Sequence, residues 1–182
     1  ARFVRKEGFD YDRLGEVVDE AVHFLDNVID ANRYPVAEIE KATLASRKIG
    51  LGVMGFSDAL YMMDVPYNSD RALELAEEVF RFIRERGWAT SQRLGERRGS
   101  FPLFERSVWK EKGIKALRNA TITTVAPTGT IGLIAGVSSG IEPVFALHYW
   151  RTMAEGAVLF ETHPEFARRA EAMGLDLESL FA

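Results

Sequence analysis

The feature that most constrains the fold is a β-branched run that ends at a proline and turns into an apolar, glycine-punctuated segment. Thr121-Ile122-Thr123-Thr124-Val125 leads through Ala126-Pro127-Thr128-Gly129-Thr130 into Ile131-Gly132-Leu133-Ile134-Ala135. β-Branched side chains favour the pleated strand. Pro127 has no N–H to donate and stops the ladder. Strand, turn and helix in that order predict an α/β element. The first N–H groups of such a helix have no internal partner and lie at the positive end of its dipole. Gly129 lets an anion approach the backbone closely, and the hydroxyls of Thr128 and Thr130 add donors. The same residues equally suit a plain strand, turn and helix capped by Thr128 or Thr130. On the residues alone both readings stand. No lysine follows Gly129, so the segment is not a Walker loop.

Helical periodicity surrounds this element. Between Tyr11 and Ala31, Leu14, Val17, Val18, Ala21, Val22, Leu25, Val28 and Ile29 recur at helical spacing, with Asp10 or Asp12 placed to cap the helix. Tyr34-Pro35 ends it, because the residue before proline avoids the helical region. A short helix is expected over Ile39 to Ser46. The longest pattern runs from Ser69 to Arg97, with Ala72, Leu75, Ala76, Val79, Phe80, Ile83, Gly87 and Ala89-Thr90 on one stripe and a solvated charged face opposite. Short helical turns are expected around Val108-Trp109-Lys110. Further expectations are strands over Thr121 to Val125 and Ala146 to Thr152, a turn at Glu155-Gly156 and a last helix from Pro164 to Met173. The fold class is therefore helix-rich α/β.

Gly50-x-Gly52-x-x-Gly55 has the spacing of a dinucleotide-binding turn. The strand before it would be very short, and no acidic residue about 20 positions on closes a second strand. Glycines that allow close packing are the favoured reading. His23, His148 and His163 show no i, i+4 pairing, so structural roles are expected and no metal site. Glu142 lies between Ile141 and Pro143 in an apolar stretch; a carboxylate there calls for a partner such as Arg118 or Arg151, or points into a pocket.

The chain has 182 residues, is 47% hydrophobic and carries a net charge of -4. That suits one core and gives no reason to expect a nucleic-acid or membrane surface. No repeat or clear linker divides the chain, so 1–182 is read as a single region. No apolar run approaches a membrane span, and the first residues lack the apolar core of a signal peptide, so a cytoplasmic location is expected. There is no cysteine, which excludes a disulfide frame and any thiolate metal site.

Ala126-Pro127-Thr128-Gly129-Thr130-Ile131, followed by Gly136-Val137-Ser138-Ser139-Gly140-Ile141-Glu142-Pro143-Val144-Phe145-Ala146, resembles the large catalytic chain of ribonucleotide reductases. The adenosylcobalamin-dependent (class II) branch is nearest. Phe24-Leu25-Asp26-Asn27-Val28-Ile29-Asp30-Ala31-Asn32-Arg33-Tyr34-Pro35 and Arg47-Lys48-Ile49-Gly50-Leu51-Gly52-Val53-Met54-Gly55-Phe56 resemble earlier blocks of the same family, in the family's order. Ala116-Leu117-Arg118-Asn119 stands where many relatives have Gly-Leu-Arg-Asn.

The resemblance implies part of a ten-stranded α/β barrel that reduces ribonucleotides by radical chemistry, with adenosylcobalamin as cofactor. It puts the substrate phosphates on Pro127, Thr128, Gly129, Thr130 and Ile131. Pro127 would shape the turn, and the other four would present N–H groups and hydroxyls. It implies the ribonucleotide and the remainder of the reductase chain as partners, with a homo-oligomer also open. The family's chemistry runs through a thiyl radical and a redox pair of cysteines. No catalytic residue is therefore assigned here; the radical cysteine loop is expected just before this chain's first residue. The isolated chain is expected to be inactive and to expose an apolar surface where the rest of the barrel belongs. The alternative is a non-catalytic binding or assembly module from a split reductase gene.

Overall fold

A computed structural model describes residues 2–5, 8–152, 156 and 158–177. In chain order the elements are β1 (Val4–Arg5), β2 (Gly8–Phe9), α1 (Tyr11–Ala31), α2 (Ala37–Ser46), α3 (Phe56–Met62), α4 (Asp70–Arg98), a 3-10 turn (Phe104–Arg106), α5 (Val108–Glu111), α6 (Gly129–Ala135), β3 (His148–Thr152), β4 (Val158–Thr162) and α7 (Pro164–Ala172). They form two compact units. One joins Phe3–Val53 to Asp70–Ala126; the other joins Ala1–Arg2, Met54–Ser69 and Pro127–Ala182.

The first unit is built on α1 and α4. Asp10 caps α1, its carboxylate accepting from the Arg13 N–H at 3.1 Å. Leu14, Val18, Val22 and Ile29 of α1 are buried, as are Leu75, Val79 and Ile83 of α4, whereas Val17 and Val28, expected on the same stripe of α1, are exposed at its edge. Tyr11 meets Glu78, Asp19 meets Arg86 and Asp26 meets Arg98. The pairs advance together along both helices, so the two run parallel. Segment 117–122 then crosses α4 at two glycines. A Cβ on Gly95 would lie 2.7 Å from the Leu117 nitrogen, and one on Gly87 would lie 2.9 Å from Ile122 Cγ2. Phe101, Phe104 and Leu117 form a further buried cluster beside Trp88 and Trp109.

The strand expected over Thr121 to Val125 is reduced to a short parallel pairing. Leu51 bridges Thr123. The N–H groups of Ile49 and Leu51 donate to the carbonyls of Thr121 (3.1 Å) and Ile122 (2.7 Å), and Thr124 N–H returns to Leu51 at 3.0 Å. Of those five residues only Ile122 is buried, and no second neighbour lies alongside among the described residues, so no regular ladder builds up. The pairing also explains the glycine spacing. A Cβ on Gly50 would sit 2.8 Å from Thr124 Cγ2, whereas Gly55 opens α3. These glycines admit a neighbouring chain and start a helix; they do not form a dinucleotide turn.

Asp26 joins the pieces of this unit. It is fully buried. Its carboxylate accepts from Arg47 at 2.7 Å, from Arg118 at 3.2 Å and from the Asn119 amide at 3.0 Å. Arg47 reaches it from a left-handed backbone (φ 45°) at the end of α2 and also bonds Asp30 at 2.7 Å.

The second unit holds α3, α6, the antiparallel β3–β4 hairpin and α7. The hairpin register runs from His148 opposite Thr162 to Thr152 opposite Val158. β3 begins two residues later than expected, and β4 was not anticipated. Of the expected turn at 155–156, Glu155 lies outside the described residues. No helix among the described residues is long and apolar enough to cross a membrane.

Burial raises the Asp26 carboxyl; hydrogen bonding and charge from Arg47, with Arg118 and Asn119, overcome this and hold it below the usual carboxylate range. A lowered folded-state value stabilises fully above the unfolded value, about 3.9, and the contribution is lost as pH falls through the folded value. Asp26→Asn is expected to lower the unfolding free energy by about 3–5 kcal/mol at neutral pH, because it takes a charged partner from the buried Arg47 and the half-buried Arg118. In urea unfolding the gap between the two proteins should narrow as pH falls below about 4. Equal stabilities at neutral pH would contradict this account.

Candidate functional site

The turn at Pro127 delivers the chain into α6 through an unusual residue. Thr128 occupies the position before the helix with φ 47° and ψ 30°, and its side chain makes no capping bond. A β-branched residue in the left-handed region is strained. Its hydroxyl oxygen instead accepts from the Gly140 N–H at 2.7 Å. The helical ladder begins where Gly132 N–H donates to the Thr128 carbonyl at 2.8 Å. The N–H groups of Gly129, Thr130 and Ile131 therefore precede the ladder, and all three residues are exposed. The expected cap by Thr128 is absent, because that oxygen is already engaged by the loop after the helix.

A cleft of about 1130 Å³ opens beside this turn. Its walls include Gly129 and Thr130 at the start of α6, Ser138 of the following loop, Trp150 and Phe160 of the hairpin, and His163 before α7. Two of the five sequence-predicted phosphate residues, Gly129 and Thr130, thus face it; Pro127, Thr128 and Ile131 are not among its lining residues.

The Ser138–Val144 loop is fastened to the Gly55–Tyr67 segment by four bonds. Gly55 N–H donates to the Ser138 carbonyl (2.8 Å) and Ser138 N–H to Asp58 Oδ2 (2.7 Å). Val144 N–H donates to Ser57 Oγ (3.1 Å) and Tyr67 O–H to the Ile141 carbonyl (2.7 Å). Asp58 is buried, and its other oxygen lies 2.7 Å from His163 Nε2. His163 Nδ1 accepts from Phe166 N–H at 3.3 Å and so caps α7. An accepting Nδ1 assigns the proton of a neutral ring to Nε2, directed at Asp58.

The other histidines are also held within the fold. His23 Nε2 lies 2.7 Å from Arg98, and His148 Nδ1 lies 2.8 Å from the Thr162 hydroxyl. Among the described residues no group of His, Cys, Asp and Glu is arranged to hold a metal. Of the partners expected for Glu142, Arg118 is engaged within its own unit. Arg118 goes to Asp26 at 3.2 Å, where full burial makes an unpaired carboxylate far more costly. Glu142 is exposed and lines the cleft described above, in keeping with the pocket alternative; the Arg151 side chain lies outside the described residues.

Sequence reasoning missed Asp58, Ser57 and Tyr67. A signal for Asp58 was present: an acid inside Phe56-Ser57-Asp58-Ala59-Leu60 must be either solvated or partnered. His163-Pro164 likewise carried a helix-start signature, with proline in the first turn.

Residues 1–117 and 110–182 match the ribonucleotide reductase barrel-domain family. The chain is 51% identical over 171 residues to the vitamin B12-dependent ribonucleoside-diphosphate reductase of Thermoplasma acidophilum, covering 94% of this chain and 22% of that protein. It is 46% identical over 182 residues to the protein of the same name from Mycobacterium tuberculosis H37Rv, covering 100% of this chain and 25% of that one. The ribonucleoside-diphosphate reductase subunit alpha of Chlamydia muridarum is 33% identical over 176 residues, covering 76% of this chain and 17% of its own length. The chain belongs to the ribonucleotide reductase barrel-domain family, and its helix-rich architecture is part of that α/β barrel. It spans about a quarter of the length of the vitamin B12-dependent relatives.

The left-handed Thr128 makes a prediction of its own. Thr128→Ala keeps the strained backbone and loses the Gly140 bond, so about 1 kcal/mol of stability should go. Thr128→Gly loses the same bond but relieves the strain, and should be about 1 kcal/mol more stable than the alanine variant. Chemical denaturation of both variants checks the order; a glycine variant no more stable than the alanine one would refute it.

Proposed function

We propose that this chain supplies part of the catalytic barrel of a cytoplasmic, vitamin B12-dependent ribonucleotide reductase, and that Pro127 to Ile131 holds the phosphates of the ribonucleotide. The whole of 1–182 is then one region of a single barrel domain. The observation that carries the reading is the cleft bounded by Gly129 and Thr130, next to N–H groups that precede the α6 ladder. Backbone donors at a helix start suit a phosphate. The names of the relatives favour a diphosphate.

Within this reading Pro127 and the left-handed Thr128 turn the backbone, and Gly129, Thr130 and Ile131 donate to phosphate oxygens. Adenosylcobalamin, when bound, supplies the radical. All three histidines of the chain are engaged within the fold. The cysteines of the reaction fall to the remainder of the reductase, since this chain has none. Exposed apolar side chains such as Ile134 and Phe145 suit burial against that remainder.

Gly129→Val tests the loop in the full-length enzyme. A Cβ at Gly129 meets nothing within 4 Å, so the fold is expected to persist while the bulk obstructs the anion. Substrate affinity should fall at least tenfold, about 1.4 kcal/mol. Unchanged affinity would leave the loop an ordinary turn.

The 182-residue chain alone should reduce no ribonucleotide, with or without adenosylcobalamin. Turnover should appear once the cysteine-bearing remainder is added. A stand-alone module would not respond to that addition.

A further inference from the structure

Asp58 divides its carboxylate between two segments that are far apart in sequence. Oδ2 accepts from Ser138 N–H and Oδ1 faces His163 Nε2, both at 2.7 Å. The loop it grips is bonded to α6 at two points. Gly140 N–H donates to the Thr128 hydroxyl at 2.7 Å, and Val137 N–H donates to the Gly132 carbonyl at 3.0 Å. Between those two points lie Gly129, Thr130 and Ile131. Ser138 Oγ is buried and meets no partner among the described residues. A loop that carries such an atom inward is held there against a cost, and the Asp58 bond helps to offset it.

We propose that Asp58 is a positioning residue for the substrate phosphates: it fixes the Val137–Gly140 loop against Thr128, and His163 holds the carboxylate in the orientation that does so. The inference rests on the phosphate reading of the α6 turn. Thr128 sits in a backbone region it would not choose, so its conformation depends on the Gly140 bond. That conformation aims the N–H groups that follow. His163 is itself oriented twice, by the Phe166 N–H on Nδ1 and by an edge contact with the Tyr61 ring, with centroids 5.5 Å apart.

The test uses the full-length reductase loaded with adenosylcobalamin and two variants, Asp58→Ala and His163→Asn. Asparagine is a strong N-cap, so His163→Asn keeps the start of α7 while the shorter side chain no longer reaches Asp58. Both variants should raise the KM for the ribonucleotide about tenfold or more and leave kcat within about threefold. Inorganic pyrophosphate, used as a competitive inhibitor, should weaken by the same factor as KM rises, which locates the effect at the phosphates. A purely structural role would lower kcat or the yield of folded enzyme and leave KM and the pyrophosphate inhibition constant unmoved; that result overturns the proposal. Should Asp58→Ala fail to fold, His163→Asn decides alone. Gly129→Val is the reference. If it weakens pyrophosphate and neither of the other variants does, the positioning role is wrong and the phosphate reading survives. If it leaves pyrophosphate unaffected, the phosphate reading fails, and this inference fails with it.

Discussion

The first unit depends on one buried carboxylate. Asp26 is 0% exposed, and taking an ion that far from water costs several kcal/mol before any partner is counted. The cost is met only because four groups converge on it. Arg47 brings the end of α2, Arg98 the end of α4, and Arg118 and Asn119 the chain that leads to the parallel pairing. Arg118 also donates to the Arg98 and Gly99 carbonyls at 3.2 Å, where the α4 ladder runs out of partners. Three guanidiniums against Asp26 and Asp30 leave the cluster short of negative charge, which explains why the carboxyls are held low. A hydrophobic residue at position 26 would bury more easily. It would not collect three chain segments at fixed angles.

The second unit uses the same device with gentler chemistry. Asp58 is also buried, but its partners are a backbone N–H and an imidazole, not guanidiniums. Such partners fix geometry without crowding positive charge into the cleft. This matters because α6 is only seven residues long, well below the length at which a helix holds itself in water. Its stability comes from outside: Gly132 is buried against the Val137 carbonyl, and the Thr128 hydroxyl takes the Gly140 N–H. The donors at the start of α6 are therefore set by the loop after the helix, and that loop is set by α3.

Long helices were legible in the sequence because their signals are local. The stripe from Leu14 to Ile29, the cap at Asp10 and the stripe from Ala72 to Ile83 all lie within a few turns, and α1 and α4 match them closely. The strand at 121–125 was overread, since β-propensity reports a side chain's fit to a pleated surface and supplies no neighbour. The turn from Pro127 into α6 was legible as a motif. The left-handed Thr128 was not, because it is imposed by a bond to Gly140, 12 residues away. Asp58 and His163 are 105 residues apart, and no spacing rule links them. Arg118 drew attention as an ion-pair partner, but the sequence offered it several acids. Burial marks Asp26 as the acid that needs it.

The parallel pairing of 49–51 with 121–124 shows what kind of surface the first unit presents. Parallel strands are stable when covered on both faces. Ile122 is pressed against α4 at Gly87, which covers one. Its neighbours Thr121 and Thr123 point the other way and are exposed. In an α/β barrel the helices clothe the outer face and the other face lines the interior. The interior-facing side here carries threonine hydroxyls in place of hydrocarbon. A polar face is a poor core for an isolated strand, and the Thr121 hydroxyl turns back to the Ile49 carbonyl at 3.0 Å. The alternation that weakens this segment as an independent strand therefore suits it to the inside of a barrel.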